Sequence, residues 1–174
     1  MPDTTATSAD LHWYAARTRF GCEVGIRNRL TLLGVEHFIP MKERKATRGS
    51  RIVETPVVPS LVFFRSTREK ALELVHFEGI KADFITDCAT RRMLIVPDKQ
   101  MEDFRRVFDY SKDAGGLLDE NISLGDEVVV ARGPLTGVEG RIVEIKGKSY
   151  VAVALLGSVF ARAKVPRAWL NKAN

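Results

Sequence analysis

The sequence Gly125-Asp126-Glu127-Val128-Val129-Val130-Ala131-Arg132-Gly133-Pro134-Leu135-Thr136-Gly137-Val138-Glu139-Gly140-Arg141-Ile142-Val143 opens with a short β-branched run and breaks at Gly133-Pro134. It then passes two more glycines and returns to a second β-branched run. That is the pattern of strand, tight turn and strand. Gly137 and Gly140 suit positive φ or close backbone approach, and Pro134 pre-sets φ for the turn. Around this hairpin, Gly125, Gly133, Gly137, Gly140, Gly147 and Gly157 punctuate the carboxy-terminal segment. Each costs a helix interior up to ~1 kcal/mol relative to alanine. The apolar residues here are mainly valine and isoleucine in short runs, which pack better on a pleated surface than in a helix. The expectation is a small β-barrel from about Ile122 to Leu170; a helical alternative would need strong compensation from the rest of the chain.

Outward from that segment, the chain has 174 residues, of which 45% are hydrophobic, enough for one large or two small cores. A formal charge of +5 and a pI near 9.4 suggest contact with polyanions, although a solvated basic face gives the same numbers. Cys22 and Cys88 form no C-x-x-C pair, so neither a zinc site nor a disulfide framework is argued, and reduced thiols in a cytosol fit best. Met1 to Asp10 is rich in Thr, Ala, Ser and Asp and lacks the basic and apolar regions of a signal peptide, which reads as a floppy tail. No apolar run approaches the ~20 residues of a membrane helix, so a soluble, cytoplasmic protein is expected.

From the amino terminus, His12 to Thr18 reads as a buried strand. After Gly21 the period changes: Ile26, Leu30 and Leu33 form one helical stripe, and Gly34 follows as its stop. Arg27 and Arg29 lie off that stripe on a basic or merely solvated outer face. Val35 to Pro40 reads as a strand. It is followed by a hairpin whose arms carry Lys42, Arg44, Lys45, Arg48 and Arg51. Such a tip can neutralise phosphates without reading bases, or can simply keep a sheet edge from aggregating. Pro56 to Arg65 is a proline-bounded apolar strand, and Ser66-Thr67-Arg68-Glu69 is a capping box with Ser66 as N-cap, opening a helix to about His76. Ala82 to Ile85 and Met93 to Val96 read as short strands. Pro97-Asp98 starts a helix with Met101, Phe104 and Phe108 on one face. Strands and helices alternate from Trp13 to Tyr110, an α+β domain unlike the all-β tail. The segment 111–121, with its Gly115-Gly116 pair, reads as a linker that leaves the second domain independent of the first.

The order G-D-x-V-x-V-x-x-G-P-L-x-G-x-x-G, carried by Gly125, Asp126, Gly133, Pro134, Gly137 and Gly140, resembles the KOW motif of small SH3-like barrels that serve transcription and translation. With an α+β domain that begins Trp-Tyr, a helix ending before Gly-Val-Glu-x-x-x-Pro, the strand at Val58-Pro59-Ser60-Leu61 and a third helix after Pro97-Asp98, the whole resembles the NusG family of transcription elongation factors. The resemblance covers roughly Leu11 to Asn174. It implies an NGN-like domain at 11–110, with an antiparallel sheet and helices, a linker at 111–121 and a KOW domain at 122–174. It also implies a monomeric factor that docks on the clamp helices of RNA polymerase and reduces pausing or termination. Further partners implied are non-template DNA and, through the KOW domain, a ribosomal protein or termination factor. General members carry Phe-Pro-Gly-Tyr where this chain has Val58-Pro59-Ser60-Leu61. That departure resembles the specialised antiterminators of the RfaH and UpxY type, which act on single operons such as capsule or surface polysaccharide loci.

Docking on a coiled-coil tip needs an apolar concavity with a polar rim. Tyr14, Val58, Pro59, Leu61, Phe63, Val107, Phe108 and Tyr110 are the candidates, although Phe63 and Phe64 alternate on a strand and part of the set must be core. On this reading Leu61→Asp charges the interface while the domain stays folded. Lys42, Arg44, Lys45, Arg48 and Arg51 are the candidate phosphate contacts, with Arg17, Arg19, Arg27 and Arg29 near the first helix as further nucleic-acid residues. No catalytic pattern stands out: His12, His37 and His76 are far apart, and no G-x-S-x-G, P-loop or H-E-x-x-H occurs. No enzyme activity, metal or cofactor is expected. The competing readings are a ribosome-associated KOW protein that binds RNA and an enzyme with a coincidental hairpin.

Overall fold

The computed structural model describes residues 11–47, 49–111, 125–156 and 159–173. The expected tail at 1–10, Arg48, the linker beyond Ser111, Ile122 and Gly157 lie outside them. The chain divides after Pro97 into two compact units.

The first unit holds β1 (His12–Thr18), α1 (Glu23–Leu32), β2 (Glu36–Phe38), β3 (Met41–Lys45), β4 (Ile52–Pro56), β5 (Leu61–Ser66), α2 (Arg68–His76), β6 (Ala82–Phe84) and β7 (Ile95–Val96). Its main sheet has the order β2-β5-β1-β6, with β7 also paired to β1, and β3-β4 form a separate hairpin. All the pairings are antiparallel. Register decides which side chains share a face, because directly opposed residues of an antiparallel pair point the same way. Tyr14 opposes Phe64 and Ala16 opposes Val62, whereas Ala15 opposes Phe63 and Arg17 opposes Leu61. The Tyr14–Phe64 face packs with Ile26 and Leu30 of α1 and with Ala71 and Leu74 of α2 into one buried cluster. Both faces of β1 are buried, which is why its sequence shows no polar alternation.

Helix α1 ends as its glycine suggests. Gly34 has φ 67, its N–H donates to Thr31 O at 3.1 Å, and the Val35 N–H donates to Leu30 O at 3.0 Å. This is the paired bonding of a Schellman end. The start of α2 differs from expectation by one residue. Thr67 is the N-cap, accepting from the Lys70 N–H at 3.2 Å, so Lys70 and not Glu69 occupies the position a capping box needs. Ser66 remains in β5 opposite His12, and its hydroxyl donates to Thr67 O. The strand expected from Met93 is also shorter: Met93 forms only a bridge to Thr86, and β7 starts at Ile95.

The second unit begins with α3 (Asp98–Tyr110) and continues through β8 (Glu127–Val130), β9 (Glu139–Ile145), β10 (Lys148–Leu155), β11 (Val159–Lys164) and β12 (Leu170–Lys172). The five strands form an antiparallel sheet in the order β11-β10-β9-β8-β12. Apart from one 3-10 turn at Arg167–Trp169, the regular structure described in the segment is β-strand, as its glycines and β-branched residues favour. Val128 opposes Gly140, and a Cβ at Gly140 would sit 2.5 Å from Ala152 O of the neighbouring strand. At Gly133, φ is 85 and the Trp169 ring occupies the space a side chain would need. These two positions admit glycine for different reasons, close backbone approach and a left-handed turn. Helix α3, read from the sequence as the last element of the α+β domain, packs against β10 and β11 with Met101, Phe104, Val107 and Phe108 buried.

Candidate docking and nucleic-acid surfaces

The structure separates the apolar residues that the sequence grouped. Tyr14 lies on the helix-covered face of the first sheet. Leu61 and Phe63 lie on the opposite face together with Trp13, Ala15 and Arg17. Phe38 packs on Phe63 with ring centroids 6.3 Å apart. Leu61 and Phe63 are only 2% and 0% exposed, whereas Val58 is half-buried and Pro59 exposed on the turn before them. Phe108 belongs to α3, stacked on Phe104 at 6.2 Å and buried, while Tyr110 at the end of that helix is 54% exposed. Trp13, Ala15 and Phe38 were missed. Their signal is register with Phe63, which no single-strand period reveals.

The turn into β5 is held from α1. Ser60 has φ 64, a left-handed conformation that costs a residue with a Cβ about 1–2 kcal/mol. Its N–H donates to Glu23 Oε1 at 2.7 Å, and its carbonyl accepts from the Thr18 N–H at 3.0 Å. Glu23 is 1% exposed, so a buried carboxylate fixes the conformation of the Val58-Pro59-Ser60-Leu61 segment.

The basic hairpin is two-faced. Lys42 opposes Thr55 and Arg44 opposes Val53, and the Ala46 N–H donates to Arg51 O. Alternation puts Lys42, Arg44 and Arg51 on one face, opposite neutral partners. The other face carries Lys45 beside the opposed pair Glu43 and Glu54, so its charge is mixed. Arg27 reaches that face and pairs with Glu54 at 2.7 Å. Arg29 donates to the Glu78 carboxylate and to Glu78 O, both at 3.0 Å. Those two arginines are thus partly neutralised. Arg17 and Arg19 are exposed, Arg17 at the edge of the Leu61 face.

In the second unit, the loop expected to carry a motif is held by polar side chains of α3. Lys99 Nζ donates to Gly137 O at 2.9 Å and pairs with Asp103. Asp103 Oδ2 accepts from the Glu139 N–H at 3.0 Å. Arg106 Nη2 donates to Pro134 O at 3.1 Å and Thr136 O at 3.0 Å, and Gln100 Nε2 to Ala154 O at 2.7 Å. At the loop's other side Gly125 N–H bonds Ile142 O at 2.8 Å, and Asp126 pairs with Lys172 at 3.0 Å. Among the described residues no group of His, Cys, Asp and Glu gathers as a metal site, and no helix is long and apolar enough to cross a membrane.

Known proteins share this architecture. The model of the family described as NusG, transcription termination factor nusG, matches residues 11–105, more than half of the chain. No curated protein matches it by sequence. A solved structure titled "Domain interaction in Thermotoga maritima NusG" is similar at a TM-score of 0.50 with 18% identity, covering 97% of this chain and 100% of that one. At that identity the likeness speaks for the fold alone. The family match carries the assignment: this chain belongs to the NusG family.

Proposed function

We propose that the protein is a transcription elongation factor that binds RNA polymerase through its amino-terminal domain and reduces pausing or termination. The observation that carries this reading is the family match over residues 11–105, which takes in the whole main sheet of the first unit and most of α3. The face bearing Trp13, Ala15, Leu61 and Phe63 supplies the apolar centre a coiled-coil tip requires, with Val58, Pro59 and Arg17 accessible beside it. Leu61 and Phe63 are buried, so docking there starts at that rim. Phe108 is likewise buried while α3 lies on β10 and β11, so using it requires the helix to leave the sheet. Lys42, Arg44 and Arg51 supply a one-sided phosphate-binding face suited to non-template DNA. The second unit is proposed to be a KOW domain with an SH3-like barrel, recruiting a ribosomal protein or termination factor.

The unusual Val58-Pro59-Ser60-Leu61 segment, with serine in a left-handed turn, supports a specialised, operon-specific antiterminator over a general factor. The test is a gel-shift assay with a reconstituted bacterial elongation complex, read together with pause duration. Binding and shortened pauses are expected, both reduced by Val58→Asp and Arg17→Glu in proteins with parental amide spectra. Absence of polymerase binding combined with co-sedimentation with ribosomes would instead establish the RNA-binding reading.

A further inference from the structure

The first unit contains a cavity of about 580 Å³ on the helix side of its sheet, away from the Leu61 face. Arg68, Arg91 and Arg92 stand around it, all exposed, and none has a carboxylate partner among the described residues. Leu72, Met93 and Ile95 supply an apolar wall. The Tyr14 side chain lines the cavity although the residue is only 1% exposed, and its hydroxyl has no hydrogen-bond partner among the described residues. That hydroxyl can therefore donate to a molecule held in the cavity. Burial, and then the Glu69 carboxylate, push the Tyr14 pKa up against the opposing effect of Arg68, so the phenol stays protonated as a donor.

The loop that presents two of the arginines is built. Asp87 Oδ1 accepts from the Ala89 N–H at 3.0 Å and the Thr90 N–H at 2.6 Å. The Arg91 N–H donates to Asp87 O, and the Asp87 N–H donates to Arg92 O, both at 2.9 Å. Arg91 is held at φ 56, and Thr86 bridges Met93. The backbone of two consecutive arginines is therefore fixed by a closed turn, and both line the cavity together with Arg68 at the start of α2.

We propose that this cavity binds a nucleotide, its phosphate on the guanidinium groups and its base between the arginine planes and the apolar wall, with the Tyr14 hydroxyl donating to an acceptor of the ligand. Guanidinium groups pair with phosphate in forked geometry and also stack on aromatic rings, which suits them to both halves of a nucleotide. An inorganic anion would leave the apolar wall unused. The nucleotide can come from free solution or from a strand, and the experiment separates the two. The inference is independent of polymerase docking, because its residues lie on the other face of the sheet.

The full chain is titrated calorimetrically with adenosine 5′-monophosphate, adenosine, inorganic phosphate and a short oligothymidylate. The expected result is saturable binding of the monophosphate, with adenosine and phosphate each weaker by at least about tenfold. The combined Arg68→Gln and Arg92→Gln variant loses about tenfold in affinity. Tyr14→Phe loses a few-fold. If only the oligothymidylate binds, and the cavity variants weaken it while the hairpin stays intact, the occupant is a nucleotide within a strand. Binding of inorganic phosphate as tight as the monophosphate, or binding of both nucleotide probes unaffected by the cavity variants in proteins with parental amide spectra, overturns the proposal. So does absence of binding by either probe.

Discussion

Glu23 Oε1 accepts the Ser60 N–H at 2.7 Å, tying the first turn of α1 to a residue held at φ 64 across 37 positions of sequence. The bond is part-buried and its acceptor is the buried Glu23 carboxylate, so losing it strands a backbone donor. Glu23→Ala is expected to destabilise the protein by about 2–3 kcal/mol. Ser60→Gly removes the left-handed penalty while keeping the N–H, and a gain of about 0.5–1 kcal/mol is expected after the entropy cost of glycine. Urea unfolding of both variants measures this; a destabilised Ser60→Gly would show that the serine side chain has a role beyond tolerating its backbone.

Leu61 is only 2% exposed in β5, which changes what a charge there does. The sequence alone suggested that Leu61→Asp would leave the domain folded. Placing a carboxylate at this buried strand position is instead expected to cost more than about 3 kcal/mol and to broaden amide signals across the first unit. A well-dispersed spectrum from this variant would mean that the face opens readily.

How far the sequence was readable depended on whether the signal was local. Gly34 ended α1 because a left-handed C′ residue is a one-position requirement, and the two β-branched runs around Gly133 became β8 and β9 because turn chemistry is local too. The α2 cap was displaced by one residue because Ser66 and Thr67 are equally good caps, and only the pairing of Ser66 with His12 decided between them. Tyr14 stands apart from Leu61 and Phe63 for a tertiary reason: β1 is buried on both faces, and only its register with β5 puts Tyr14 on the face opposite theirs. The Arg68, Arg91 and Arg92 cavity was invisible because its residues come from two distant segments. Nothing in the local pattern of α3 indicated that Lys99, Asp103 and Arg106 would hold the loop before β9.

The hairpin arginines and lysines are not equivalent. Lys42, Arg44 and Arg51 share a face without carboxylates, whereas Arg27 and Arg29 are engaged by Glu54 and Glu78. Replacing the first three by glutamine is expected to flatten the salt dependence of nucleic-acid binding by about one unit for each phosphate no longer neutralised. Arg27→Gln with Arg29→Gln is expected to change the slope by less than half as much. Equal slopes for the two sets would dismiss the one-sided face as the binding surface.

Asp87 carries a pH signature. The Thr90 N–H first, and the Thr90 hydroxyl next, hold its carboxyl below the usual aspartate range. A folded pKa below the unfolded value of about 3.9 gives stability that is full above that value and is lost as pH falls through the folded pKa. Asp87→Ala is therefore expected to have a lower melting temperature than the parent at neutral pH, the gap closing progressively below about pH 4. A gap that stays constant into acid would place the effect of the variant in backbone propensity, with no part for the charge.

The carboxy-terminal sheet and α3 form one compact unit, and this bears on the expectation that the β-segment stands alone. Asp103 is 2% exposed; its Oδ2 holds the Glu139 N–H and Lys99, while its Oδ1 has no partner among the described residues. The Coulomb attraction of Lys99 and the charge-assisted bond to Glu139 must offset the cost of that buried oxygen. Asp103→Ala removes both the cost and the bonds, but it leaves the Glu139 N–H unsatisfied, and a net loss of about 1–3 kcal/mol is expected. Removing the whole helix has a wider effect. An Asp119–Asn174 fragment lacks Lys99, Gln100, Asp103 and Arg106, so its amide shifts should depart from those of the intact chain around Thr136, Gly137, Glu139 and Leu155. A fragment that starts at Asp98 should overlay at those positions. If the shorter fragment also overlays, the bonds from α3 are not formed in solution and the sheet is independent of the helix.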